Sequence, residues 1–461
     1  MAIEATIILA GGQSKRMKTK TSKVLHPLLG KPMIFYPLKW AEELGSRQII
    51  IVVGKNGGEI KKVLQEKKVE FALQPAPRGT ADAVACALSQ IKNFSGSVLI
   101  LYGDAPLFRL QTLKKLVSVH NKSRADLTIL TTVMPDPSGY GRILRAGKQV
   151  VGIVEDKDAS PEQKAICEVN AGVYCVRAEF LKAGLKKIQP DNQQKEYYLT
   201  DLVKIAVEEG RKVAHYQAPD WQETLGINSR KELAQATFIL QMRINQQWME
   251  KGVSIEAPQQ VVIGPEVKIG QDTVIEAGAR LLGNTRIGKN CWIQAGVRII
   301  DSVIEDEVEI RQGSVIEESR IKSGATIGPM AHLRPGSVVG KRARIGNFVE
   351  LKKAIVGDET KASHLTYLGD AVVGRNVNIG CGTITCNYDG ERKHQTIIED
   401  EVFVGSDTQF IAPVRVGKGA YIGSGSTITE DVPAHSLALA RSRQVVKPGW
   451  TKAQKKKSSK K

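Results

Sequence analysis

Residues 263–299 read IGPEVKIGQDTVIEAGARLLGNTRIGKNCWIQAGVRI, with Ile263, Ile269, Ile275, Leu281, Ile287, Ile293 and Ile299 on an unbroken beat of six. Such a beat fits neither the 3.6-residue turn of a helix nor the two-residue alternation of a free strand. It fits a triangular coil in which each short side points one aliphatic residue inward. The beat runs on to Ile428, and glycine follows many of its marks, as in Ile269-Gly270, Ile287-Gly288, Ile345-Gly346, Ile379-Gly380 and Val404-Gly405. Glycine suits the corners, where a side chain would crowd the turn. A left-handed parallel β-helix is therefore expected over residues 251–445. Two stretches, 358–370 and 387–395, read as interruptions of the beat, and insertions into a solenoid become loops on one face, often the binding face.

Upstream, residues 1–228 alternate apolar runs at 6–10, Gln48–Val53, 98–101 and Leu127–Val133 with polar amphipathic segments such as 58–67 and Leu110–Ser123. This alternation predicts an α/β domain with a mostly parallel, Rossmann-like sheet whose ligands sit at the carboxyl ends of the strands. Ser229-Arg230-Lys231-Glu232 has the form of a capping box, and Leu233, Ala236, Leu240, Ile244 and Trp248 follow at helical spacing. A linker helix is expected over 229–250, ended by Lys251-Gly252.

At 461 residues the chain exceeds one ordinary core, so roughly two to three domains are expected. Its 42% hydrophobic and 25% charged residues are those of a soluble globular protein. The start runs directly into Ala5-Thr6-Ile7-Ile8-Leu9-Ala10, without the basic start and cleavage site of a signal peptide, and no uncharged apolar run has the length of a membrane span. A cytoplasmic enzyme, not a membrane protein, is expected. Six cysteines (Cys86, Cys167, Cys175, Cys291, Cys381, Cys386) lack the paired spacing of zinc sites and read as reduced thiols. Six lysines in 452–461 carry a third of the +18 net charge and read as a disordered solubilising tail over 446–461, which argues against nucleic acid as the partner. Phosphorylated small substrates would explain the remaining basic balance as well.

The first strand leads into Leu9-Ala10-Gly11-Gly12-Gln13-Ser14-Lys15-Arg16-Met17, a small-residue turn with cations at its far side. Backbone amides in such a turn can line an anionic concavity, where Arg16 and Lys23 would neutralise phosphoryl charge. It lacks the third glycine of a dinucleotide fingerprint and the ending of a P-loop. Further along stand Lys23-Val24-Leu25-His26-Pro27, Gln74-Pro75, Arg78-Gly79-Thr80-Ala81, Leu101-Tyr102-Gly103-Asp104-Ala105-Pro106, Gly139-Tyr140-Gly141-Arg142, Ile153-Val154-Glu155, Glu168-Val169-Asn170-Ala171-Gly172 and Gly226-Ile227-Asn228. Asp104, at a strand end, is where a parallel sheet presents a carboxylate to a metal.

In this order, and followed by the hexapeptide coil, these motifs resemble the family of bifunctional N-acetylglucosamine-1-phosphate uridylyltransferases/glucosamine-1-phosphate acetyltransferases of bacterial cell-wall precursor synthesis. The resemblance covers the chain from about residue 3 to about residue 450. It implies that Leu9, Ala10, Gly11, Gly12, Lys23, Gln74, Gly79, Thr80, Tyr102, Gly103 and Asp104 bind the uridine nucleotide. Gly141, Glu155 and Asn170 would hold the sugar, and Asp104 and Asn228 would bind Mg2+. A capping role competes with metal binding at Asn228, which stands just before the linker helix. The family reads Gly-Thr where this chain has Ser14-Lys15.

On the coil the resemblance implies that His364, in Ala362-Ser363-His364-Leu365-Thr366-Tyr367, is the catalytic base of acetyl transfer. Arg334, Lys352, Tyr367 and Asn378 would hold the sugar phosphate. Cys381, Asn387, Tyr388, Ser406, Ser424 and Arg441 would contact acetyl-CoA, with Cys381 and Ser424 standing where the family has alanine. Acetyl-CoA and UTP are the implied co-substrates, and the shape of related acyltransferases implies a homotrimer. The alternative is a sugar-1-phosphate nucleotidyltransferase whose β-helix is a non-catalytic regulatory scaffold. A second alternative is a non-enzymatic scaffold like a translation factor, against which Lys23, Asp104 and Asn228 argue.

Overall fold

The computed structural model describes residues 3–12, 15–91 and 95–458. The chain divides into two compact units, Met1–Leu240 and Gln241–Lys461.

The first unit is built on a sheet of nine strands: β1 (Ile3–Ala10), β2 (Gln48–Val53), β3 (Glu70–Leu73), β4 (Ser97–Tyr102), β5 (Leu127–Val133), β6 (Arg142–Ala146), β7 (Gln149–Val154), β8 (Glu168–Arg177) and β9 (Val213–Gln217). The spatial order is β9-β5-β8-β4-β1-β2-β3, with the β6–β7 hairpin attached to β8. Strand β8 runs antiparallel to β4 and β5, and the other neighbours on this path are parallel. The apolar runs are continuous because both faces are covered. Ala5, Ile7 and Leu9 enter one apolar cluster with Ile50, Val52, Val98 and Ile100. Ile8 and Ala10 enter the other with Ile51, Val53, Leu99 and Leu101. Helix Leu110–Ser123 covers one face through Leu113 and Leu116, and helix Thr80–Leu88 the other through Ala81, Val84 and Ala87. Register places Leu9 beside Tyr102 and Ala10 beside Val53, so the loops at Gly11, Gly54 and Gly103 leave the sheet together at the carboxyl ends of neighbouring strands.

The expected linker helix spans Arg230–Glu250, and its capping box is formed: Ser229 Oγ accepts from Glu232 N at 3.2 Å while Glu232 Oε2 accepts from Ser229 N at 3.0 Å. In the first unit Leu233, Ala236 and Ile239 join the sheet's apolar cluster. In the second unit Ile244 and Trp248 pack on the coil's core, and Asn245 Nδ2 donates to Pro258 O and Val261 O at 2.7 and 2.8 Å. The helix stops at Gly252, with φ +86.

The second unit is a parallel β-helix of short rungs. Ile263, Leu281, Ile299, Ile316, Leu333, Leu351 and Leu368 stack in register along one side. Ile275, Ile293, Ile310, Ile327, Ile345, Ala362 and Ile379 form a second stack, and Ile269, Ile287, Ile304, Ile321, Val339, Val356 and Val373 a third. These residues form one buried core, each large aliphatic contributing roughly 1.5–3 kcal/mol.

Two expectations need correction. The stretch 358–370 does not interrupt the coil: Ala362 and Leu368 are fully buried and keep the beat, on a strand, Lys361–Gly369, paired along its length with Arg344–Lys352. An alanine in place of a large aliphatic made the beat look broken. The stretch 387–395 is a true insertion, after which Ile398 resumes opposite Val373. The carboxyl tail forms a helix, Trp450–Ser458, instead of a disordered segment, since its Lys, Gln and Ala are good helix formers.

Candidate active sites

In the first unit the loops leaving the carboxyl ends of β1, β2 and β3 border a cleft of about 770 Å³. Ala10, Gly11, Gly12 and Gln74 line it, joined by Lys18, Lys20 and Lys55, which the sequence did not single out. Arg16 is exposed on the turn Lys15–Met17 and is not among the described residues lining the cleft. Gln13 and Ser14 lie outside the described residues. The Leu9 side chain is in the core, and its carbonyl accepts from Gly103 N at 2.9 Å, which fixes the Gly103-Asp104 turn beside the first loop. Gln74 Nε2 donates to Gly79 O at 3.1 Å and to Asp82 Oδ2 at 2.9 Å. Gly79 has φ +118, and a Cβ there would come 2.4 Å from Tyr197 O, so glycine alone lets residues 78–81 pass.

Lys23, Asp104 and Asn228 meet, although far apart in sequence. Lys23 Nζ donates to the Asp104 carboxylate and, at 2.9 Å, to Asn228 Oδ1. Ile227 N donates to Asp104 O at 2.8 Å, bringing Asn228 alongside. Asn228 uses its backbone N–H toward Glu232 at 2.5 Å, so the cap does not consume its side chain.

A second group gathers around Tyr102. Burial, with the Glu155 charge, pushes its hydroxyl far above the usual tyrosine range, and Thr80 hydrogen-bonds it. Burial raises the Glu155 carboxyl, which accepts from Thr200 Oγ1 at 3.0 Å. Asn170 N donates to Gly141 O at 2.8 Å, and Asn170 Nδ2 donates to Tyr174 Oη at 2.6 Å. Gly141 lies against Glu155: a Cβ there would sit 3.4 Å from Glu155 Oε2.

On the coil, the paired strands Arg344–Lys352 and Lys361–Gly369 run through one corner and carry polar groups on both sides of it. His364 pairs in register with Asn347, and its Nδ1 lies 2.9 Å from Asn347 Oδ1. With the proton on Nδ1, the Nε2 lone pair is available as a base. The sequence reading missed Asn347, because its partnership is created by coil register and has no local signature. Gly346 makes the corner possible: a Cβ there would come 1.9 Å from Ser363 O.

Further along the same strands Glu350 pairs with Tyr367, and Lys352 with Gly369. Arg334 Nη1 donates to Glu350 Oε1 at 2.9 Å, and Lys352 Nζ lies 3.4 Å from Asp370 Oδ2. Asn387 Nδ2 donates to the same Asp370 oxygen. Lys393, another residue the sequence did not flag, is brought to Lys352 by the inserted hairpin, and this hydrogen-bonding cationic neighbour lowers its ammonium pKa. Asn378 sits one rung on, opposite Lys361. Cys381, Ser406 and Ser424 form a column after Gly380, Gly405 and Gly423, linked by Asp407 N to Cys381 O (2.7 Å) and Gly425 N to Ser406 O (2.8 Å). Arg441 Nη1 donates to Ser424 O at 2.7 Å. Tyr388 projects from the insertion, exposed, its hydroxyl turned to Gly390 O.

No helix among the described residues is long and apolar enough to cross a membrane. Comparison with known families matches residues 5–252 to Nucleotidyl transferase, 245–351 to the EIF2B subunit epsilon LbH domain and 395–430 to Bacterial transferase hexapeptide (six repeats). The chain is 50% identical over 452 residues to the Bifunctional protein GlmU of Trichlorobacter lovleyi, covering 98% of each. It is 51% identical over 446 residues to that of Syntrophotalea carbinolica, covering 97% of this chain and 96% of the relative. With that of Shouchella clausii it shares 46% identity over 447 residues, 97% of this chain and 98% of the relative.

Proposed function

The chain belongs to the family of bifunctional GlmU proteins, and we propose that its two compact units divide a two-step synthesis between them. It is a bifunctional transferase: acetyl passes from acetyl-CoA to glucosamine-1-phosphate, and uridylyl then passes from UTP to N-acetylglucosamine-1-phosphate, giving UDP-N-acetylglucosamine and pyrophosphate.

In the acetyl step His364 Nε2 takes a proton from the sugar amine as nitrogen attacks the thioester carbonyl; the N–C bond forms, the C–S bond breaks and the thiolate of coenzyme A leaves. Arg334 and Lys352, with Lys393, hold the phosphate, Tyr367 and Asn378 the sugar, and the column Cys381, Ser406, Ser424 with Asn387, Tyr388 and Arg441 the donor. Positioned base catalysis of this kind contributes about 10²–10⁴ in rate. The observation that carries the two-activity reading is the His364–Asn347 pair at a corner of the coil, with Arg334 and Lys352 on neighbouring rungs and Lys393 brought to Lys352 by the insertion. A passive regulatory coil has no need of them.

In the uridylyl step a sugar-phosphate oxygen attacks the α-phosphorus and pyrophosphate leaves. Positioning and charge neutralisation dominate such transfers. Leu9 to Gly12, Gln74, Gly79, Thr80, Tyr102 and Gly103 take the nucleotide, Gly141, Glu155 and Asn170 the sugar, and Arg16 and Lys23 the phosphoryl charge. Asp104 and Asn228 offer two oxygens that already share one cation, the Lys23 ammonium, which suits magnesium, an ion usually held by one or two carboxylates with water and phosphate completing its shell. When bound, magnesium neutralises charge on the phosphate oxygens.

The working domains in this reading are 1–228, the linker 229–250, the coil 251–445 and the tail 446–461. The protein acts in the cytoplasm on small molecules, without nucleic acid or membrane, as a homotrimer whose neighbouring coils enclose the acetyl site. Incubation with glucosamine-1-phosphate, acetyl-CoA, UTP and magnesium should yield UDP-N-acetylglucosamine by mass spectrometry. Recovery of only the uridylylated product from pre-acetylated sugar would leave the coil without its activity.

A further inference from the structure

The Lys23 ammonium occupies the two oxygens, on Asp104 and Asn228, that the reading above gives to the metal. Its neighbours hold that arrangement in place. Lys23 opens the short turn Lys23–Leu25, whose Val24 is buried and whose Val24 carbonyl accepts from Ile34 N at 2.9 Å. Asp104 and Asn228 are tied together by the Ile227 N–H and to the linker helix by Glu232. The Lys23 and Asp104 side chains are only 12% and 21% exposed, so water and salt screen their attraction weakly. A divalent cation and an ammonium drawn to the same two oxygens repel each other, so each weakens the other's hold there. The lysine charge sits on a flexible four-carbon stem, so it can leave without the backbone moving.

We propose that Lys23 is an internal counter-cation that closes the metal ligands Asp104 and Asn228 until the phosphates of an incoming nucleotide draw it away. Metal alone must displace a resident positive charge, whereas metal arriving with a polyphosphate is offered a new anionic partner for that charge. The two ligands are therefore positively coupled, and the coupling is reciprocal. Among the described residues no three acidic, His or Cys side chains form a metal-binding group, so the free site has little with which to overcome the lysine. The inference rests on the assignment of Asp104 and Asn228 as metal ligands, and its test separates the two.

Manganese binding to the full-length protein, without nucleotide, is measured by electron paramagnetic resonance and by calorimetry. Lys23→Met should bind manganese about tenfold tighter than the unaltered protein, because Asp104 loses its competing cation. Lys23→Gln, which keeps a hydrogen-bond donor but not the charge, should tighten it likewise and serves if the methionine variant folds poorly. Adding Asp104→Asn to either should remove the gain. Unchanged or weaker manganese binding in a folded Lys23 variant overturns the counter-cation role. Tightened binding that Asp104→Asn leaves intact overturns the metal assignment instead.

Discussion

At the scale of single residues, the His364–Asn347 pair makes a prediction that a structural role would not. Asn347→Ala removes the partner of Nδ1 and should lower acetyl transfer on the order of tenfold, part of the 10²–10⁴ a positioned base supplies. Asn347→Asp places a negative charge beside the imidazole and favours its protonated form, so the acid limb of the pH–rate profile should move to higher pH. An unmoved profile in both variants would reduce Asn347 to coil packing. A second titratable residue bears on stability. Burial, then the nearby Arg177 charge, pushes the His120 imidazole from its ordinary 6.5 down to about 4, while Ser97 Oγ and Thr128 Oγ1 lie 3.0 and 2.9 Å from its nitrogens. The folded state thus keeps it neutral where the unfolded chain would protonate it. Its contribution is complete above pH 6.5 and falls as pH drops from 6.5 toward 4. Urea midpoints at pH 7 and pH 5 should differ less in His120→Gln than in the unaltered protein.

At the scale of elements, the corner within the paired strands Arg344–Lys352 and Lys361–Gly369 couples a glycine to chemistry. Gly346→Ala drives a Cβ against Ser363 O, so the corner must shift and carry His364 with it. Stability should fall by about 1–3 kcal/mol, and acetyl transfer should fall far more than uridylyl transfer when both are assayed on one preparation. The strands of the first unit were legible because both-face burial writes continuous apolar runs, and the coil because its core repeats. The rung at Ala362 was not, since a beat read from large aliphatic residues passes over a small one. Asn347 and Lys393 were illegible for another reason: their partners come from register and from an inserted hairpin. Lys18, Lys20 and Lys55 carried no local signature either, because only the folded loops gather them at the cleft.

At the scale of the whole molecule, the two groups of site residues lie in different units and share no member. Asp104→Asn should therefore abolish uridylyl transfer and leave acetyl transfer intact, and loss of both in a folded variant would refute the division. Light scattering of the full chain should report a trimer, and an acetylating monomer would end the shared-site reading. The insertion at 387–395 leaves and rejoins the coil with the ladder unbroken on either side, Cys386 opposite Ile411 and Thr396 opposite Ala371. Its length is therefore invisible to the core, and the segment behaves as a cassette. Selection can redraw this loop, or an engineer can exchange it, without renegotiating the scaffold that folds beneath it.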